Sequence, residues 1–282
     1  MSVLSKVQIR RRFHCWRKRW VWLFPIAGIA LLLVLWGLGR GLGVGRDAVW
    51  ARIQKSGVWR VGMDPSFPPF EELDPATGQP VGLDVELVRA IADRWGVRAE
   101  IVGVGFDQLV DAVAAHRIDS AVSGLPVFPY RAREVSFSQP YVEAGVVLAV
   151  PQGSPIRSTD DLAGRRVAAE WGSEGDAQAR ALQRRLNGKL ELLLRESPDA
   201  ALAAVIAGEA DAAAVDAVSL ALFDQAGELV IVGEPLYSNP YVIVVPANAP
   251  RLLAAVNQAL ADLARDGTLA ELKRRWLGPQ AR

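Results

Sequence analysis

The sequence predicts an α/β fold built as two similar lobes behind an apolar N-terminal segment. Three observations predict it. From residue 57 onward, short apolar runs of strand length alternate with stretches of helical periodicity. The stretch 113–124, VAAHRIDSAVSG, is echoed by 205–216, VIAGEADAAAVD. Residues 21–39, VWLFPIAGIALLLVLWGLG, carry no charge and follow a strongly basic tail.

The apolar segment sets the topology. About 20 apolar residues span a bilayer as a helix, and basic residues stay on the cytoplasmic side. Lys6, Arg10, Arg11, Arg12, Arg17, Lys18 and Arg19 lie in residues 1–20 with no acid among them. The expectation is a basic cytoplasmic tail at 1–20, an uncleaved transmembrane anchor at 21–39 and a Gly-rich spacer at 40–56. A cleaved signal peptide is the alternative; nothing close to Ala-x-Ala follows the run. The rest of the chain would lie outside the cytoplasm. Setting the seven tail residues aside leaves 25 basic groups of 32 against 31 acidic ones, which argues against nucleic acid as a partner. Cys15 is the single cysteine, and His14 and His116 stand apart. No disulfide within the chain, metal site or cofactor is therefore expected.

Within the first lobe, Val58–Gly62 reads as a strand that enters the turn-rich loop DPSFPPFEELDPATGQP. Asp84 is expected to cap a helix whose Val88, Ile91, Ala92 and Trp95 share one face. Glu100–Val104 is a second strand, Phe106–Ala115 a helix with Leu109, Val110 and Val113 inward, and Ser120–Ser123 a third strand. This order implies parallel strands with right-handed crossovers. In the second lobe, Arg166–Ala169 is a strand, Ser197 and Pro198 start a helix, and Asp211–Val215 is the next strand. Pro250–Arg265 and Leu269–Trp276 are the closing helices. The echo pairs Asp119 with Asp211 and Gly124 with Asp216. It is either chance in an Ala-rich chain or the mark of two similar lobes, in which case residues 123–126 and 216 face each other across a cleft beyond the strand ends.

A family resemblance rests on seven segments in order: WRVGMDPSFPPFE (59–71), GLDVELVRAIADRWG (82–96), GFDQLVDAV (105–113), VSGLPVFPYRAREVSFSQPY (122–141), LAGRRVAAEWGSEGD (162–176), GEADAAAVDA (208–217) and DGTLAELKRRWLG (266–278). Together they resemble the family 3 bacterial extracellular solute-binding proteins. The resemblance implies a type II periplasmic-binding fold with lobe 1 at 57–147 and 236–282 and lobe 2 at 148–235. Two hinge crossings would run through Gly145–Pro151 and Gly233–Ile243. It further implies a monomer that captures a polar or cationic amino acid by hinge closure and delivers it to an ABC transporter permease.

The resemblance also assigns roles. Arg131 offers a planar fork to a carboxylate, a role the resemblance implies; composition alone suggests a solvated arginine in a loop that also holds Arg133. Asp216 becomes the ammonium acceptor, where composition alone suggests a helix cap. Asp64 contacts the side chain of the solute, although an Asp before Pro also suits a turn. Phe67 and Phe106 wall the ligand, or else pack in the core. Ser123 and Gly124 offer a hydroxyl and backbone groups. Two positions depart from the family pattern. Pro126 replaces a hydroxyl residue and has no N–H. In Gly172-Ser173-Glu174, Glu174 replaces the second hydroxyl after Ser173. Glu174 points outward as a first-turn acid, or inward as part of an acidic cleft suited to a cation. An enzyme of the cyclohexadienyl dehydratase kind is the competing class, with Glu174 its nearest acid. A ligand-sensing domain is the third class; such domains are followed by a further span and output domain, so it is the less expected reading unless a partner protein reads the closed state.

Overall fold

The computed structural model describes residues 47–278 apart from residue 225. The expected tail at 1–20 and apolar run at 21–39 lie outside these residues. Among the described residues, no helix is long and apolar enough to cross a membrane.

Two five-stranded sheets follow one plan. The first runs in the order Arg98–Gly103, Val58–Met63, Ser120–Ala121, Val244–Pro246, Val135–Phe137. The second runs Glu191–Arg195, Arg166–Glu170, Ala212–Asp216, Val146–Pro151, Leu229–Tyr237. In each, the first three strands are parallel and the last two join antiparallel. The echoed segments occupy the same middle position in their sheets, and their aspartates make the same bonds. The Arg60 N–H donates to Asp119 Oδ2 at 3.0 Å, and Asp119 N–H returns to the Arg60 carbonyl at 2.9 Å. The Arg166 N–H donates to Asp211 Oδ2 at 2.9 Å, and Asp211 N–H returns to the Arg166 carbonyl at 2.8 Å.

Burial follows the helical periodicity. In Leu83–Trp95, Val88, Ile91 and Ala92 are buried against the first sheet and Trp95 is half-buried. Leu109, Val110 and Val113 are buried on Leu109–Ala114. Ser197 caps Pro198–Ile206 by accepting from the Ala200 N–H at 3.1 Å. Pro250–Arg265 and Thr268–Leu277 close the first core with Leu252, Val256, Leu260, Leu263 and Leu272.

Two readings need correction. The end of the expected spacer is a helix, Ala48–Ser56. Asp47 Oδ1 accepts from the Trp50 N–H at 2.9 Å, and its Oδ2 from the Leu252 N–H at 2.8 Å. Val49 and Ile53, one turn apart, then drop into the first core. Asp84 is not the cap of its helix. Gly82 holds that position, and the Asp84 carboxylate is turned into the protein interior.

The connections between the sheets are themselves paired. Val146–Pro151 is a full strand of the second sheet, so the chain crosses just before it, at Ala144 and Gly145. Val142–Glu143 pairs antiparallel with Pro240–Tyr241 of the return crossing. Glu143 ties the two together. Its Oε1 accepts from the N–H groups of Gly145 at 3.0 Å and Asn239 at 2.7 Å, and its Oε2 from Ser238 Oγ at 2.8 Å. Gly145 is required there, because a Cβ would stand 1.9 Å from the Tyr237 carbonyl oxygen.

Candidate functional site

A cavity of about 350 Å³ opens beyond the ends of the first sheet's parallel strands, lined by Asp64, Ser66, Phe67, Phe106, Gly124, Pro126, Asn239 and Tyr241. Pockets for small ligands occupy this range of volume, and open α/β sheets place them at this end.

Asp64 sits one residue past the strand Val58–Met63. Its Oδ1 accepts from Ser66 Oγ at 2.7 Å and its Oδ2 from the Phe106 N–H at 2.8 Å. The second bond fixes the loop that carries Phe106. Phe67 stacks on Phe70 with centroids 5.2 Å apart, and both rings meet Tyr241 edge-on, at 6.4 and 5.3 Å. Phe67 and Phe106 remain about two-fifths exposed, which sets them apart from the fully buried Phe70. Gly124 adopts φ +53°, and a Cβ on it would lie 2.8 Å from the Phe67 ring. The position thus demands glycine for conformation and for space.

Ser123 does not face the cavity. Its hydroxyl donates to Glu71 Oε1 in the buried interior and accepts from the Asp64 N–H at 3.1 Å. Pro126 lines the cavity and bridges to Tyr241, so the wall at this position is apolar.

Arg131, Ser173, Glu174 and Asp216 are not among the lining residues. Arg131 Nη2 donates to both Asp111 and Glu134, the latter at 2.7 Å, and these two bonds raise its pKa further. Ser173 caps the helix Glu174–Arg185 by accepting from the Asp176 N–H at 3.1 Å. Glu174 is exposed in the first turn, where its Oε1 accepts from Gln178 Nε2 at 2.6 Å. A first-turn carboxylate there is favoured by the helix dipole. Asp216 caps Ala217–Phe223 by accepting from the Ser219 N–H at 2.8 Å. Asp216 still acts on the cavity wall. The Tyr241 phenol is pushed up to about 12, chiefly by burial and then by the charge of Asp216.

Sequence reasoning missed Ser66, Asn239 and Tyr241. Residues 239–241 belong to the return crossing and reach the cavity through tertiary pairing, with the Val242 N–H donating to the Leu125 carbonyl at 2.9 Å. Only the turn residues around Pro240 hinted at them.

The model of the bacterial extracellular solute-binding proteins, family 3, matches residues 59–279. This chain belongs to that family. Among curated relatives, the lysine/arginine/ornithine-binding periplasmic protein of Escherichia coli (strain K12) is 29% identical over 227 residues, covering 77% of this chain and 86% of the relative. The unliganded, open L-cystine solute receptor of Neisseria gonorrhoeae matches with a TM-score of 0.72 at 25% identity, over 82% of this chain and 97% of the receptor. An ancestral cyclohexadienyl dehydratase matches with a TM-score of 0.69 at 26% identity, over 81% of this chain and 95% of that one. The type II periplasmic-binding fold thus holds for this chain, within a family of extracellular proteins whose curated relatives bind amino acids.

Proposed function

We propose that this protein captures a polar or cationic amino acid outside the cytoplasm and passes it to an ABC transporter permease. The observation that carries the reading is the cavity: one carboxylate, Asp64, set among Phe67, Phe106 and Tyr241. A carboxylate ringed by aromatic faces suits an ammonium or guanidinium, which gains both charge pairing and cation–π contact. The lysine/arginine/ornithine-binding relative supports the same solute class.

In this reading the second lobe closes over a solute held first by the Asp64 cavity. Arg131 lies in the same loop as Gly124 and Pro126 and carries the solute carboxylate on closure. Asp216, close enough to act on Tyr241, receives the α-ammonium. Ser173 and Glu174 stand at the rim of the second lobe. The apolar run 21–39 tethers the protein, as a monomer, to the membrane. A dehydratase would need an acid poised at its substrate, whereas Glu174 is exposed and bonded to Gln178.

A thermal-shift and calorimetry panel tests the proposal, with L-arginine, L-lysine, L-histidine, L-glutamine, L-cystine and L-leucine as ligands. A solute at about 100 times its dissociation constant adds about 2.7 kcal/mol of stability. Stabilisation by arginine, lysine, histidine or glutamine is the expected result. Tight binding of leucine alone would overturn it.

A further inference from the structure

Behind the cavity lies a cluster of acids that are not among its lining residues. Glu71, on the short strand Glu71–Leu73, and Asp84, in the first turn of Leu83–Trp95, are both fully buried. Their carboxyl groups lie within hydrogen-bonding reach of each other. Glu71 Oε1 accepts from Ser123 Oγ. Asp84 Oδ2 accepts from the Gly124 N–H at 2.8 Å and from Tyr141 Oη at 2.8 Å. The remaining oxygens, Glu71 Oε2 and Asp84 Oδ1, are buried with no donor.

Two ionised carboxylates cannot share such a place. Burial without pairing costs several kcal/mol per charge, and two bare acceptors repel. Among the described residues, neither acid forms an ion pair with Lys, Arg or His. The other titratable groups around them are Asp64, Tyr141 and Tyr241, which are acids as well. A single proton held between the two carboxyl groups supplies the donor that this cluster lacks and leaves one negative charge.

The geometry shows which partner keeps the charge. Asp84 receives two donors on Oδ2, the arrangement a carboxylate wants, whereas Glu71 receives one. We infer that Glu71 and Asp84 share one proton, with Glu71 the acid and Asp84 the carboxylate, and that the pair positions the Ser123–Gly124 loop that floors the cavity. Burial, with the charge of Asp84 behind it, pushes the Glu71 carboxyl far up, in keeping with this division. The two residues are positioning groups, since they reach the cavity only through Ser123 and Gly124. Their consequence for binding rests on the function proposed above, but the arrangement itself can be tested with no solute present.

The test uses the intact protein without ligand. Infrared spectroscopy at neutral pH should show a carboxylic-acid carbonyl band that Glu71→Gln removes. Amide hydrogen exchange should show Gly124 protected, and still protected in Glu71→Gln, whose side-chain N–H can replace the shared proton. In Asp84→Ala, Gly124 should exchange about tenfold faster or more, as befits loss of a charge-assisted bond. Tyr141→Phe, which removes one donor and is the milder change, should speed Gly124 less. Amides of the strand Ala212–Asp216 in the second sheet should keep their rates in every variant. The inference is overturned by a parent with no acid band, by a band that survives Glu71→Gln, or by a Gly124 rate unmoved in Tyr141→Phe and Asp84→Ala. Uniform acceleration across both sheets would assign the pair to folding alone and overturn it too.

Discussion

Asp119 and Asp211 hold equivalent places in the two halves of the molecule, each closing a reciprocal pair of bonds with the backbone of an arginine in the neighbouring strand. The surroundings differ. The Asp119 side chain is 1% exposed and bonds the guanidinium groups of Arg52 and Arg60, whereas the Asp211 side chain is 37% exposed and pairs with Arg165 at 3.2 Å. Asp119→Ala should therefore cost about 3 kcal/mol and Asp211→Ala about 1 kcal/mol. Urea denaturation of the two variants beside the parent measures both, and equal losses would contradict the account.

Gly124→Ala should damage the cavity and the fold together. The new methyl group collides with Phe67 and occupies a left-handed backbone conformation, which costs about 1–2 kcal/mol for a residue with a Cβ. Binding of whichever solute the panel identifies should fall at least tenfold, read by calorimetry. Displacing Phe67 costs its stacking on Phe70.

Asp64→Asn keeps the size of the side chain and removes its charge. A cationic amino acid should lose about tenfold or more in affinity, while L-glutamine should lose less, because a charge-assisted bond is about twice as strong as a neutral one. Titrating arginine and glutamine into parent and variant separates the charge effect from any disturbance of the Phe106 loop, which would weaken both alike.

Glu143 joins the two crossings through three accepted bonds. Its replacement by Ala leaves the N–H groups of Gly145 and Asn239 without that acceptor and should destabilise the protein by about 2 kcal/mol. Glu143→Gln retains an acceptor oxygen and should recover about half of the loss. Thermal unfolding of the two variants gives the comparison.

The buried pair also sets a pH dependence. Burial, then the charge of Asp84, raises Glu71 from its ordinary 4.5 to about 10 in the folded protein. Folding thus favours the protonated form. The resulting stability is complete below pH 4.5 and is lost as pH climbs toward about 10. Asp84, raised mainly by burial to about 6, adds a smaller loss in the same direction at lower pH. Asp64, Tyr141 and Tyr241 face the pair and bring no compensating cation. The unfolding free energy from urea titrations should fall from neutral to alkaline pH with a slope of at most about 1.4 kcal/mol per pH unit, and Glu71→Gln should flatten it.

The sequence by itself determined the α/β alternation, the inward faces of Leu83–Trp95 and Leu109–Ala114, and membership of a solute-binding family. These are local matters: a period of 3.6, a cap such as Ser197 and a run of small strand residues are written in neighbouring positions. It also brought Asp64, Phe67, Phe106, Gly124 and Pro126 into view, because each sits beside the end of a recognisable strand or in a family motif. What only the tertiary structure decided is which way side chains turn and which distant segments meet. Ser123 and Asp84 could have faced solvent or capped a helix, yet they turn inward because Glu71, Gly124 and Tyr141, up to 57 residues away, supply their partners. Tyr241 becomes a cavity wall only because the returning chain pairs beside Leu125. Arg131 finds its acids in Asp111 and Glu134 on the surface of its own lobe. Such choices depend on the sum of burial and pairing across the fold, a quantity that no short window of sequence contains.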